Sequence, residues 1–536
     1  MKRTKRISLL LTTAFLAGSL LLSACQSGEG GTLSTDSTVG ETSTPWAPPA
    51  ETPATWSEFD LNDTWADGDT HIHLDENTTQ KEWRGAKIVG GDLYIREEGT
   101  YVLSGTLNGQ IFVSVDKTKK VHLVFNGFTV NEDSLTPILC ERADKVVITL
   151  AEGTENFVND HNANYVEGGT ATDGRNAGAI HAKMGLTING KGSLTVNTVY
   201  RHGIVSNSNL RIVSGDLTVN AKEEGLRGKE SVSIRGGRIT VESGDDGVKV
   251  NQADEEGQGF FAMEGGDLQI VTEGDGIDVI KTVRIVGGSL RVQSADHSIV
   301  TEGTVSIGGD PVIRLHAHSG AEDSDAKGIK ADGEVTIESG SLLVTKSFEG
   351  IESKNASVRI LGGRVDVRAT NDGVNAATLL SVEGGALYVV SGGDGLDSGG
   401  DIQFKGGTTV ICGSSSNAYA PMDVPEGSQI RVDGGFLLAY GSLNAVQYPS
   451  DSSSQPFLGT SVSLKADIPY ALRDQNGNNL VTFTPAENAL TLCFSSDALT
   501  AGEYTLFSGV TPEGTPAYGV YTSSTGGEEA GRFTVS

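Results

Sequence analysis

Cysteine is scarce in this chain. Four are spread over 536 residues, at Cys25, Cys140, Cys412 and Cys493. That spacing excludes a disulfide framework and a zinc cluster, and the last three read as small buried side chains. The four tryptophans, Trp46, Trp56, Trp65 and Trp83, all lie near the start. Positive charge is also short: 40 Lys and Arg face 69 Asp and Glu, for a net charge of −29. So acidic a surface repels nucleic acid and anionic lipid. Apolar residues almost never recur every 3.6 positions, and 71 glycines argue against a helical protein. A Ser-His-Asp order, a phosphate loop and a nucleotide fingerprint are all missing. Gly-Asp-Gly strings fall in repeat turns instead.

One long apolar run is present. Ile7 to Leu22 follows Lys2, Arg3, Lys5 and Arg6 and ends in Leu22-Ser23-Ala24-Cys25. This is the pattern of a lipoprotein leader, residues 1–24, with Cys25 as the acylated residue. Cleavage removes four positive charges, taking −29 to −33. The expected location is the extracellular face of a bacterial membrane, held by lipid alone. Residues 25–65, rich in Ser, Thr, Gly and Pro, read as a flexible linker.

A repeat dominates the central part of the chain. Its unit reads acid-Gly-Ile, polar residues, apolar-x-apolar, then Gly-Gly-x-Leu-x-Val. The Gly-Ile element begins at Gly178, Gly203, Gly225, Gly247, Gly276, Ser298, Gly328, Gly350, Gly373 and Gly395, and most steps are 22 residues. Two longer steps carry insertions near Asn251–Phe260 and Gly320–Asp325. Within a unit, Val232-x-Ile234 and Ile239-x-Val241 alternate with period two, as strands do. Glycine supplies the positive φ of the turns. Single coils cannot bury their inward side chains, but stacked coils do. The expected fold is all-β, a right-handed parallel β-helix of about 22-residue coils over 66–450. Leu93 to Val199 reads as irregular first coils, and 451–536 as a small β cap or domain. The chain is expected to be a monomer.

Stacking turns sequence period into columns about 4.8 Å apart per rung. Two columns flank the Gly-Ile corner. In the last regular coils they bring Glu349, Glu352, Asp372, Asn375, Asp394 and Asp397 to one edge. Carboxylates this close repel unless a cation intervenes. Hard oxygen donors describe calcium better than zinc or magnesium. Asp246, Asp275 and Asp278 form a second candidate metal site. Arg227 and Lys249 share the column. They read as internal charge neutralisation, and as a base only if calcium lowers the lysine pKa. His71 and His73 lie on one strand face, with no third ligand in view.

Several strings carry a resemblance: Tyr101-Val-Leu-Ser-Gly-Thr-Leu, Val146-Val-Ile-Thr-Leu-Ala-Glu-Gly-Thr-Glu-Asn, Glu349-Gly-Ile-Glu-Ser-Lys and Gly393-Asp-Gly-Leu-Asp-Ser. Over residues 70–510 the chain resembles the bacterial carbohydrate-binding-domain family of surface solenoids. The resemblance implies a right-handed parallel β-helix, bound calcium, binding of cellulose or polygalacturonate, and a likeness to calcium-dependent pectate lyases.

Three functions suit these features. The first, preferred here, is a non-catalytic binder of pectin-like or cellulose-like polysaccharide that uses calcium. The second is a polysaccharide lyase acting by β-elimination, with Lys249 or Arg227 as base. The third is a structural spacer or adhesin. Cellulose calls for aromatic platforms, and the tryptophans precede the regular coils. Tyr388, Tyr419 and Tyr440 are the alternatives there, although turn filling suits them better.

Overall fold

A computed structural model describes residues 55–75, 78–162, 178–318 and 325–535. The leader, Cys25 and the linker as far as 54 lie outside the described residues.

Alternation sets the coils. Val232 and Ile234 turn inward from Ser231–Ile234, Ile239 and Val241 from Arg238–Ser243, and Val248 and Val250 from Val248–Val250. From 178 onward each coil carries three short strands, one on each of three faces. Every strand pairs in parallel with its copy in the next coil. On the corner face Leu226 sits beside Val248, Val248 beside Ile277 and Ile277 beside Ile299. On the other two, Val232 meets Phe261 and Ile239 meets Leu268. Like side chains therefore stack, and their inward ends form one continuous apolar core. Each fully buried Leu, Ile or Val stabilises it by about 1.5–3 kcal/mol. The architecture is the expected parallel β-helix.

Glycine does two different jobs. Gly237, in the Gly-Gly turn, has φ +91° and needs the freedom that glycine has there. Gly225, in the Gly-Ile corner, has no positive φ. A Cβ there would run into Val241 Cγ1 and lie 2.9 Å from the Gly247 oxygen. Close approach between rungs, not turn conformation, selects this second glycine.

The first coils are looser. Gly99–Asn108 and Lys120–Glu132 are long strands that pair in parallel across a bulge. The antiparallel strands Gln80–Trp83, Ala86–Val89 and Asp92–Ile95 open the corner sheet. At the other end Ala489–Ser495 lies antiparallel on Phe436–Gly441 and takes up its free edge. A second core forms outside the solenoid, where Leu438 and Tyr440 meet Leu492, Phe494 and Phe483. Cys140, Cys412 and Cys493 are buried and unpaired.

The solenoid-bound chain begins earlier than the expected boundary at 66. Ser57 caps the short helix Glu58–Leu61. Buried Asp60 accepts hydrogen bonds from Lys145 at 2.8 Å and Thr187 at 2.5 Å. Asn189 donates to the carbonyls of Asp60 and Asn62. Burial pushes the Asp60 carboxyl up, but Lys145, Ser57 and Thr187 hold it down at about 2. A spacer-like composition hid a docked segment.

Candidate functional site

The corner face is built from three-residue strands whose middle residue points outward. Register places Arg227 beside Lys249, Lys249 beside Asp278, Lys330 beside Glu352, Glu352 beside Asn375 and Asn375 beside Asp397. The outward column expected from the repeat is therefore real. It runs one rung further, to Asp423 beside Asp397. The repeat pattern misses Asp423 because Ala420-Pro421 stands where other coils have acid-glycine.

The second column, preceding the glycine, has a structural task that its spacing did not reveal. Asp246 accepts the Asp275 backbone N–H at 2.9 Å, and Asp275 accepts that of His297 at 2.9 Å. The His297 Nδ1 accepts the Lys327 N–H at 3.0 Å. Asp372 accepts from Asp394 at 2.7 Å, and Asp394 from Ala420 at 2.5 Å. Each side chain satisfies an otherwise orphaned amide one coil along. A carboxylate does this with one oxygen and keeps the other.

Internal cations occupy part of the ridge. Lys249 pairs with Asp246 at 2.9 Å and also with Asp278. Burial lowers its pKa, but the bonds to Asp278 and Asp246 raise it above the ordinary lysine value. Lys327 lies 3.1 Å from Glu349 and 2.6 Å from Glu352. Arg227 lies 3.6 Å from Glu224 and donates to His202 Nε2 at 3.2 Å. Burial pushes Glu224 up, but His202 and Arg227 hold it at about 2.

Beyond the coil of Lys327 and Lys330 the two columns hold no lysine or arginine. Among the described residues, no ion pair joins Asp394, Asp397 or Asp423 to Lys or Arg. Burial, then Asp423 and Asp397, pushes the Asp394 carboxyl up to about 6. Burial, then Asp372, Asp423 and Glu349, does the same for Asp397. Asn375 donates to Asp397 at 3.3 Å, and Gln447 donates to Asp423.

Three groups of His, Asp or Glu bring their ligand atoms mutually within 4.8 Å among the described residues. They are His202 with Glu223 and Glu224, Asp275 with Asp296 and His297, and Asp246 with Asp275 and Asp278. The 349–397 edge spreads its donors more widely. Burial, then Asp246, Asp296 and Asp278, pushes Asp275 up to about 7. His71 and His73 are exposed, and His73 bonds Ser104.

Of the tyrosines considered as sugar platforms, Tyr419 lies by a turn and is partly exposed, and the other two are placed otherwise. Tyr388 stacks on Tyr518 at 4.9 Å, and Tyr440 is buried against Phe483. Both belong to strands covered by the C-terminal region rather than to turns.

A family model described as carbohydrate-binding domain-containing protein matches residues 89–363 and 346–455. The chain belongs to this carbohydrate-binding-domain family. A family relative from Acetivibrio thermocellus, described in the same words, is 34% identical over 138 residues. The match covers 26% of this chain and 48% of the relative, so the chain spans about half the length of that relative. A solved structure described as the polysaccharide lyase-like protein from C. thermocellum, a gadolinium derivative, is 27% identical. It covers 52% of this chain and 97% of its own, with a TM-score of 0.38.

Proposed function

We propose that this family member binds acidic polysaccharide through calcium held at Asp372, Asn375, Asp394, Asp397 and Asp423. One observation carries the reading: stacked carboxylates on successive rungs that form no ion pair with lysine or arginine among the described residues, two of them held up near 6. The donor set is all oxygen and lies on short corner strands, which suits a hard cation with a large, adaptable shell. Calcium relieves the repulsion, and its remaining positions take uronate carboxylates from a pectin-like chain. Without such a bridge, two acidic polymers repel. Glu349 and Glu352 border the site, but Lys327 already serves them. Asp246, Asp275 and Asp278 converge more tightly, yet the Lys249 ammonium fills that seat. Acylation at Cys25 holds the solenoid at the outer face of the membrane.

Retention on pectate gel with calcium and with chelator tests this, with metal content measured on the same sample. Wild type is retained more strongly with calcium than with chelator, and Asp394→Asn/Asp397→Asn loses that calcium-dependent part. Retention that ignores both chelator and substitution sinks the reading.

The lyase reading draws less support. Lys249 is a protonated partner of two aspartates, and becomes a base only if a cation displaces its own ammonium. The Arg227 guanidinium stays charged throughout. Ultraviolet-absorbing unsaturated products from any uronan would revive that reading.

A further inference from the structure

The outward column of the corner face changes character along its length. Before the charged rungs it runs Tyr94, Phe112, Leu139, His181 and Val205. Tyr94 and Phe112 are partly exposed on the outer face of the sheet, with ring centroids 5.8 Å apart. The Arg96 guanidinium lies 5.1 Å from both rings. Lys87 sits beside Tyr94 in register. A groove of about 230 Å³ adjoins them, lined by Glu82, Trp83, Lys87, Arg96 and Glu97 among others. Neither Arg96 nor Lys87 forms an ion pair with these or other acids among the described residues.

Trp83 is not part of the outward row. It packs on the end of the solenoid core with Lys81 over its ring. Tyr94 and Phe112 carry Arg96 instead, stand on the outward row and remain partly exposed.

We propose that Tyr94, Phe112 and Arg96 form a second saccharide subsite, which takes a uronate ring without a metal ion. It rests on the reading that this chain binds polysaccharide. An aromatic face offers apolar area and a negative π cloud to the C–H face of a pyranose. A guanidinium poised over the rings offers two parallel donors to a carboxylate. Two cations that form no ion pair among the described residues, in so acidic a chain, single out an anionic sugar over a neutral one. The subsite and the acidic corner share one face and one column, so a single extended polymer reaches both.

The test is calorimetry on the full mature chain in chelator, with oligogalacturonate and with a neutral oligosaccharide of equal length. Wild type binds the acidic oligomer, and affinity falls at least tenfold in Arg96→Gln and in Phe112→Ala. Arg96→Lys falls with them, since an ammonium keeps the charge but loses the paired donors. Circular dichroism checks Phe112→Ala; should it unfold, the two Arg96 variants decide. No binding in chelator, binding undiminished in Arg96→Gln, or equal binding of the neutral oligomer overturns the proposal. So does sedimentation with anionic phospholipid vesicles that Arg96→Gln abolishes while no sugar binds. The two readings fail separately: the calcium-dependent component tests the corner, and the component that survives chelator tests the rings.

Discussion

Lys327 donates to Glu352, one coil along in the outward column, at 2.6 Å, and stands 3.1 Å from Glu349, the next residue of its own column. All three side chains are largely buried. Removing the lysine leaves two carboxylates without a partner, which costs about 3–5 kcal/mol for a buried pair. Lys327→Met is therefore expected to lower the denaturant midpoint by that order, and Glu349→Gln added to it should recover part of the loss. Calcium should also rescue the single variant, because the acidic corner then extends by one rung.

The corner itself predicts a cation-linked melting temperature. A ligand at about 100 times its dissociation constant stabilises the native state by about 2.7 kcal/mol. Wild type should melt higher in calcium than in chelator, and Asp394→Asn/Asp397→Asn should show little difference. Without cation the pH slope has a definite sign. Asp394 and Asp397 titrate near 6 when folded, against 3.8 ordinarily. The folded chain holds more protons between those values, so their contribution to stability falls as pH rises from about 4 to 6. Denaturation in chelator across that range checks it, and the double Asn variant should flatten the slope.

The N-terminal dock predicts the opposite slope. His122 reaches Thr149 at 2.7 Å, Thr149 donates to Asn189 at 2.5 Å, and Asn189 donates to the Asp60 carbonyl at 2.9 Å. The threonine spends its proton on Asn189, so His122 supplies Nε2–H. Burial pushes His122 down to about 4 from 6.5. A histidine kept neutral by folding contributes stability that is present above 6.5 and lost as pH falls toward 4. The loss is up to about 3 kcal/mol. In His122→Gln that component should vanish from the acid limb of the stability curve.

Gly373 supplies a packing test. A Cβ there would collide with Val389 Cγ1 and come within 2.5 Å of the Gly395 oxygen. Gly373→Ala should cost about 1–3 kcal/mol as overpacking. Adding Val389→Ala should not restore it, because the Gly395 carbonyl still obstructs. A full recovery in chemical denaturation would show that only the valine contact matters.

Much of the fold was legible in the residues. Period and glycine placement give the coils, and rung-to-rung register comes with them for Arg227, Lys249 and Asp278. Three parts of the site were not legible. Asp423 is hidden because its coil trades acid-glycine for Ala420-Pro421. The carboxylate-to-amide bonds of Asp246 and Asp372 need the direction of a side chain, which spacing does not contain. Lys327 needs reach: a column places the lysine, but only the folded side chain says which acids it neutralises. The docking of 56–62 was concealed for another reason. Asp60 is polar in sequence and buried in place, and its partners Lys145 and Thr187 are more than 80 residues away.

The stacked register makes distance countable. Eleven pairings separate Phe112 from Asp397, about 53 Å at 4.8 Å per step. Adding or deleting one 22-residue unit would change that span by a single step and leave both ends intact. The solenoid is thus a ruler, and the gene can adjust its length in whole graduations.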